Sequence, residues 1–249
     1  MVIQLVSYKS TLRADSRLRH TAEIINSSKA DLILFAGHTL ASHWDVDELN
    51  TLVDNDITIA VIEVKENAIS VLNPVRNSLF LLRNGVAKDM FTHQLFSDSK
   101  NISTYHELGE HLMFELETRR IFSAANRNVS IIQCGENNIL RNIQSEGNRA
   151  VFRFEGDAIL NQRFADFLKN TDIILNPMHS PMGNQGKMRK RREYFSGNNR
   201  AYFSSANYDD EESIYNKSVQ YAYINGKEQE PIDVELGKKG SYIVRTFVI

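Results

Sequence analysis

Two hydrophobic rhythms alternate along the chain. Short continuous apolar runs, of the kind a strand buried on both faces presents, are interleaved with stretches whose apolar residues recur every three or four positions. Residues 2–6 predict a first strand. Residues 11–28 predict a helix, with Leu18, Ala22, Ile24 and Ile25 among charges. The run 31–35 predicts a strand, residues 45–53 a helix, and 57–64 another strand. Asn84-Gly85 lies between two apolar runs within 77–90, a strong hairpin signal. Residues 97–126 begin polar and irregular and become helical over 107–120, where Leu108, Leu112, Met113 and Leu116 share a face. A strand over 130–134, an amphipathic helix over 157–170 and a strand over 171–177 follow. The basic stretch 186–195 predicts a helix and 200–207 a strand. Residues 219–224 and the chain from Lys227 flank Asn225-Gly226 as a second hairpin, and 241–248 form the closing strand. Strands and helices in alternation, interrupted by hairpins, predict an α/β fold with a mixed sheet. No repeat or linker divides residues 1–249, which predicts a single domain.

Composition narrows the classes of function. With 42% hydrophobic residues, a chain of 249 can bury a substantial core. A formal net charge of −2 argues against a dedicated nucleic-acid binder, which needs clustered cations. No apolar run is long enough to cross a bilayer, and residues 1–6 lack the basic and apolar regions of a signal peptide, so a cytoplasmic protein is expected. One cysteine excludes an intrachain disulfide and a cysteine-based structural zinc site.

That cysteine is the first candidate for chemistry. The apolar run Ser130-Ile131-Ile132 leads through Gln133 into Cys134-Gly135-Glu136, so a strand tip turns sharply and presents a thiol with a carboxylate two residues on. Strand tips of open α/β sheets are where ligands bind, and a cysteine there is a candidate nucleophile. A free cysteine can equally be a small buried hydrophobe.

Several phrases, in order, resemble the nitrilase (carbon–nitrogen hydrolase) superfamily. They are Ala30-Asp31-Leu32-Ile33-Leu34-Phe35-Ala36-Gly37-His38, then Thr92-His93-Gln94-Leu95-Phe96, then Ile131-Ile132-Gln133-Cys134-Gly135-Glu136. Asp172-Ile173-Ile174-Leu175-Asn176-Pro177 and Arg200 to Asn207 complete the set. The resemblance implies a nitrilase-like four-layer α-β-β-α sandwich with mixed sheets. It implies a cysteine that attacks an amide or nitrile carbon, a glutamate base, a lysine that steadies the intermediate, and a homodimer. Only Cys134 matches the three. Ala36-Gly37 stands where the glutamate belongs and Thr92 where the lysine belongs; Lys88 is four residues early and fits only if the register slips.

Histidines offer a replacement. His38, His93 and His179 follow predicted strand tips, and a Cys–His pair with a carboxylate activates thiols on unrelated folds. The expectation is that Cys134 is served by His38 or His179, with Glu136 as base or orienting group and His93 beside the substrate; each histidine could instead cap a strand end. Metal binding is not expected, because no recognised ligand spacing occurs and His106 and His111 are five apart; no cofactor is implied. The basic run 187–192 reads as a solvated helix face, balanced by acids at 209–212, from which Arg191 and Arg192 could hold a substrate carboxylate. His43-Trp44-Asp45 reads as a loop at the pocket rim, with Trp44 as packing.

Two functions remain open on sequence. One is a divergent amidase-like hydrolase using Cys134 on a small amide-like substrate. The other is a catalytically inactive scaffold that binds or regulates a partner.

Overall fold

Alternate residues of each central strand serve different cores. In the computed structural model, which describes residues 1–66, 76–181, 183–209 and 219–249, strand β1 (Val2–Tyr8) sends Ile3 and Leu5 into one apolar cluster and Val6 and Tyr8 into another. Strand β2 (Leu32–Phe35) divides in the same way, Leu32 and Leu34 against Ile33 and Phe35. The period-2 geometry of a strand turns a continuous apolar run into a two-faced sheet.

A seven-stranded sheet has the order β14-β15-β1-β2-β3-β4-β5, built from β1, β2, β3 (Ile59–Glu66), β4 (Arg76–Arg83), β5 (Val86–His93), β14 (Asp233–Leu236) and β15 (Tyr242–Val248). A six-stranded sheet has the order β13-β12-β11-β10-β7-β6, from β6 (Ile121–Ala124), β7 (Arg127–Ile131), β10 (Ile173–Met178), β11 (Ala201–Ala206), β12 (Gln220–Ile224) and β13 (Lys227–Glu228). A separate hairpin joins β8 (Leu140–Ile143) to β9 (Arg149–Phe152). Strands β1, β2 and β3 are parallel, as are β7, β10 and β11, and the flanking pairs are antiparallel.

The two sheets face each other. Ile3, Leu5, Leu32 and Leu34 share one cluster with Ile131, Ile173, Leu175 and Phe203. Helices α1 (Ala14–Ser27) and α2 (His43–Leu52) cover the outer face of the first sheet through Leu18, Ile25, Val46 and Leu49. Helices α4 (Glu107–Thr118), α5 (Ala158–Lys169) and α6 (Gln185–Phe195) cover the second through Leu112, Leu116, Phe164 and Phe195, and α3 (Ser99–Thr104) adds Ile102. The layers therefore run helices, sheet, sheet, helices, as the resemblance implied. At about 1.5–3 kcal/mol for each fully buried large apolar side chain, a one-residue slip of a central strand is prohibitive.

Local chemistry explains the boundaries. Asn84-Gly85 and Asn225-Gly226 both take positive φ, as their hairpins require. The hairpin joining β6 to β7 was not expected; its turn residues Ala125 and Asn126 take positive φ without a glycine. Helix α2 begins two residues before its predicted start because Ser42 and Asp45 form a reciprocal capping box. His43 and Trp44 are therefore first-turn residues, not rim loop. Trp44 does not pack: it is 81% exposed. No described helix is long and apolar enough to cross a membrane.

Candidate active site

Parallel strands of both sheets end at the same edge of the sandwich. There Gly37 N–H donates to Met178 O (2.9 Å) and Asn207 Nδ2 donates to Gly37 O (2.7 Å), tying the tip of β2 to the ends of β10 and β11. Cys134 follows β7 at this edge, at the start of a short 3₁₀ turn, and is partly exposed.

The centre of the site is a histidine between a thiol and a carboxylate. His179, just beyond β10, holds Glu63 Oε1 through Nε2 at 2.7 Å, and the Cys134 side chain is near enough to favour the charged form of its ring. Glu63 lies in β3 and is fully buried. Its carboxylate further accepts Gln133 Nε2 on Oε2 (2.9 Å) and the His38 N–H on Oε1 (3.0 Å). Gln133 Nε2 also donates to Asn77 O (2.9 Å), and the Asn77 amide lies 2.9 Å from His179 Nε2. The ring of His38 stacks on that of His179, centroids 3.8 Å apart.

These contacts set the charges. Burial disfavours imidazolium at His179, but the Glu63 carboxylate, with Cys134, outweighs it and raises the pKa to about 10. Burial, with the neighbouring His179 charge, lowers that of His38 to about 4. Burial pushes the Glu63 pKa up, yet His179, His38 and Gln133 together bring it below the usual carboxylate range. At neutral pH the cluster is a carboxylate, an imidazolium and a neutral imidazole.

Gly37 makes room for this arrangement. A Cβ there would lie 2.4 Å from His179 Cδ2 and 3.0 Å from Glu63 Oε1. His179 thus occupies the space into which a side chain at position 37 would grow. The carboxylate comes instead from the neighbouring strand. His38 itself sits in the left-handed region (φ 57°), held by Glu63 at its N–H and by Arg17 Nη1 at its carbonyl (2.6 Å).

The other expected site residues go elsewhere. Glu136 is fully buried and turned inward: its carboxylate pairs with buried Arg120 and accepts the N–H groups of Leu95 (2.8 Å) and Gln133 (2.9 Å). With both oxygens committed it shapes the loop carrying Cys134. Arg120 also donates to Thr92 Oγ1 (2.8 Å) and His93 O (2.7 Å). His93, half-buried at the end of β5, thus has its main chain held by Arg120. Lys88 is exposed and pairs with Leu81 toward the hairpin turn, so no register slip brings it to Cys134. Arg191 is bound to Asn138 Oδ1 (2.9 Å) and Asn142 Oδ1 (3.0 Å). Arg192 donates to Gln185 (3.0 Å) and covers the Tyr221 ring at 3.4 Å. Both arginines are buried and fasten α6 rather than reaching the His179 site.

Sequence spacing predicted no metal centre, but the fold brings the donor atoms of His38, Glu63 and His179 within 4.8 Å of one another, a set that could hold a metal ion. The 2.7 Å between His179 and Glu63 is a hydrogen-bond length, shorter than the roughly 3.3 Å separating two ligands of one tetrahedral zinc.

Glu63 is the member of this cluster that the sequence does not single out. Its signal is a lone charge inside the apolar run Ile59-Ala60-Val61-Ile62-Glu63-Val64, where a carboxylate is tolerated only with partners.

The whole fold matches solved amidases. An amidase from Nesterenkonia sp. superposes with a TM-score of 0.57 at 11% identity, covering 99% of this chain and 90% of that one. A variant of it, described as an amidase from the nitrilase superfamily, matches at TM-score 0.55 and 10% identity over 99% and 90% of the two chains. This chain has the nitrilase-superfamily fold. Another variant of that amidase, at TM-score 0.57, 11% identity and the same coverage, carries the acetamide moiety of fluoroacetamide on its active-site cysteine. No family model and no curated protein matches the sequence. Within the nitrilase-superfamily fold, the site described above has a histidine where Gly37 leaves space, and a glutamate drawn from β3.

Proposed function

We propose that this chain is a single-domain carbon–nitrogen hydrolase acting on a small amide-like substrate, with Cys134 as nucleophile and the His179–Glu63 pair as a non-standard base. The observation that carries this reading is the His179 ring held by the Glu63 carboxylate at 2.7 Å, with the Cys134 side chain acting on the same ring. Glu63 holds the imidazole with a proton on Nε2 and stabilises the imidazolium, as the third member of a Cys–His–carboxylate set does. The proton taken from the Cys134 thiol is the second one on the His179 imidazolium, and sulfur attacks the carbonyl carbon to form the C–S bond as the C=O electrons move onto oxygen. The imidazolium returns the proton to the leaving nitrogen as the C–N bond breaks, releasing the amine. Water, deprotonated by the same imidazole, then cleaves the thioester to the acid and regenerates the thiol.

The site departs from the resemblance in its source of positive charge. Thr92 cannot supply a cation, and its hydroxyl is engaged by Arg120. In this reading the His179 imidazolium is the charge beside the developing oxyanion. His38 stays neutral and braces the ring. A cytoplasmic homodimer without a membrane or nucleic-acid partner completes the reading.

Intact-mass measurement after exposure to fluoroacetamide tests it. One adduct on Cys134 in the native protein, slowed by His179→Ala, is expected. Labelling only after unfolding would leave an inactive scaffold instead.

A further inference from the structure

Gln133 stands between Ile132, whose N–H still donates to Leu175 O of β10 (2.9 Å), and Cys134. Its main chain is fixed by Glu136, which accepts the Gln133 N–H on Oε2 (2.9 Å) and donates its own N–H to Gln133 O (2.8 Å). The side chain is fully buried and reaches from the end of β7 across to the first sheet. There Nε2 donates to Glu63 Oε2 of β3 and to Asn77 O of β4, at 2.9 Å each, so both amide protons are spent. The residue covalently joined to Cys134 thus grips the carboxylate that holds His179.

The two oxygens of Glu63 have separate partners. Oε1 takes the His179 ring (2.7 Å) and the His38 N–H (3.0 Å). Among the described residues, Gln133 is the only donor to Oε2. The terminal torsion of a glutamate is broad and roughly two-fold, so nothing within the side chain fixes which way the carboxylate plane faces. The Gln133 bond does, because turning that plane would take Oε2 from its donor inside a fully buried site. The bonds of Glu136, by contrast, go to Arg120, Leu95 and the main chain of Gln133. Against burial, which raises the Glu63 pKa, the Gln133 bond joins His179 and His38 in holding it below the usual carboxylate range.

We infer that Gln133 is a positioning residue of the hydrolase reaction: it fixes the plane of the Glu63 carboxylate, and through it the His179 ring, relative to the adjoining Cys134. This rests on the hydrolase reading and adds to it the group that sets the alignment. Gln133 acts through Glu63, its amide protons being spent. The titratable groups facing Glu63 are His179 and His38; Lys65 faces His38, and Cys134 faces His179. Glu63 and His38 titrate on the acid side, and of the two only the Glu63 side chain is bonded to Gln133.

Gln133→Met keeps the length of the side chain and removes the donor. Asn77 O retains the N–H of Gln94 (3.2 Å), so the variant strands no backbone carbonyl. The rate at which fluoroacetamide labels Cys134 is followed by intact mass across the acid and neutral range. At neutral pH the rate is expected to fall about 10–10²-fold, and the acid-side midpoint of the profile to move up in pH, because Glu63 takes a proton more readily without its donor. A rate within about twofold of wild type, or a fall with the midpoint unmoved, overturns the inference; the second result marks a purely structural tie. Should Gln133→Met fail to fold, Gln133→Glu is read instead. It sets a second carboxyl against Glu63, so its midpoint should also move up, and an unmoved one overturns the inference. Wild-type Cys134 that resists fluoroacetamide until unfolded removes the hydrolase reading and this inference with it. A labelled wild type with an indifferent Gln133→Met removes the inference alone.

Discussion

His38 and His179 stack face to face, their ring centroids 3.8 Å apart and their planes inclined by 14°. One ring is charged and the other is not. His179 gains a proton from its contact with Glu63, and His38 loses its own to burial and to the charge of its neighbour. The stack is therefore a neutral imidazole lying on an imidazolium, pinned at one side by a carboxylate buried in β3.

This pairing gives stability an optimum in pH. The pKa of His38 falls from 6.5 to about 4 on folding, so between those values only the unfolded chain takes the proton and stability drops as pH falls. The pKa of His179 rises from 6.5 to about 10, so its contribution is complete below 6.5 and is lost as pH climbs toward 10. Glu63, depressed in the fold, adds to the acid limb. Urea denaturation across pH should show a maximum near 6.5. His38→Phe, which keeps a ring in the stack, should flatten the acid limb and leave the alkaline one; an unchanged acid limb refutes the assignment.

Glu63→Gln keeps the volume and removes the charge. The rate of Cys134 modification by fluoroacetamide, and any amide hydrolysis, should fall by about 10²–10⁴. The titration of His179, followed by NMR, should move down in the same variant. A rate within twofold of wild type would show that Glu63 has no part in activating the thiol.

Gly37→Ala places a methyl group 2.4 Å from His179 Cδ2. The ring must move, which costs about 1–3 kcal/mol of stability and breaks its alignment with Cys134. Slower thiol labelling, together with a lower denaturation midpoint, is the expected result. Loss of stability without loss of labelling would place the contact outside the mechanism.

Arg120 and Glu136 are both fully buried and hold the loops of Thr92 and Cys134 together. Arg120→Met leaves the Glu136 charge without its partner and should cost about 3–5 kcal/mol in chemical denaturation. The double variant Arg120→Met with Glu136→Leu should recover much of that. If the double variant is as unstable as the single, the cost lies in lost packing and loop bonds rather than in a stranded charge.

The central strands are legible because burial on both faces writes itself as continuous apolar runs, as in residues 31–35 and 171–177, whereas β6, β8, β9 and β14 carry no such run and β7 lies three residues before the strand expected over 130–134. Five of the six described helices are legible from their spacing, with starts displaced by up to three residues, whereas α3 lies in a stretch that reads as irregular. The site was legible in part. Cys134, His38 and His179, expected at one site because strand tips can be read from the ends of apolar runs, do lie at one edge of the sandwich. Glu136 was misjudged: nearness in sequence to Cys134 suggested nearness of chemistry, whereas the turn sends its side chain inward to Arg120. Arg191 and Arg192 were misjudged because a run of basic residues does not state which of its members face the core.

The sequence by itself determined the alternation of buried strands and amphipathic helices, the position of the thiol after a strand, and the residues Ala36-Gly37 after Phe35 and Thr92 at position 92. These follow from local periodicity and residue identity. Only the tertiary structure decided which groups gather near the thiol. Glu63 and His179 are 116 residues apart, one within β3 of the first sheet and the other just past the end of β10 of the second. Their meeting depends on the face-to-face packing of those sheets and on the space left at Gly37, relations between distant segments that no local pattern encodes.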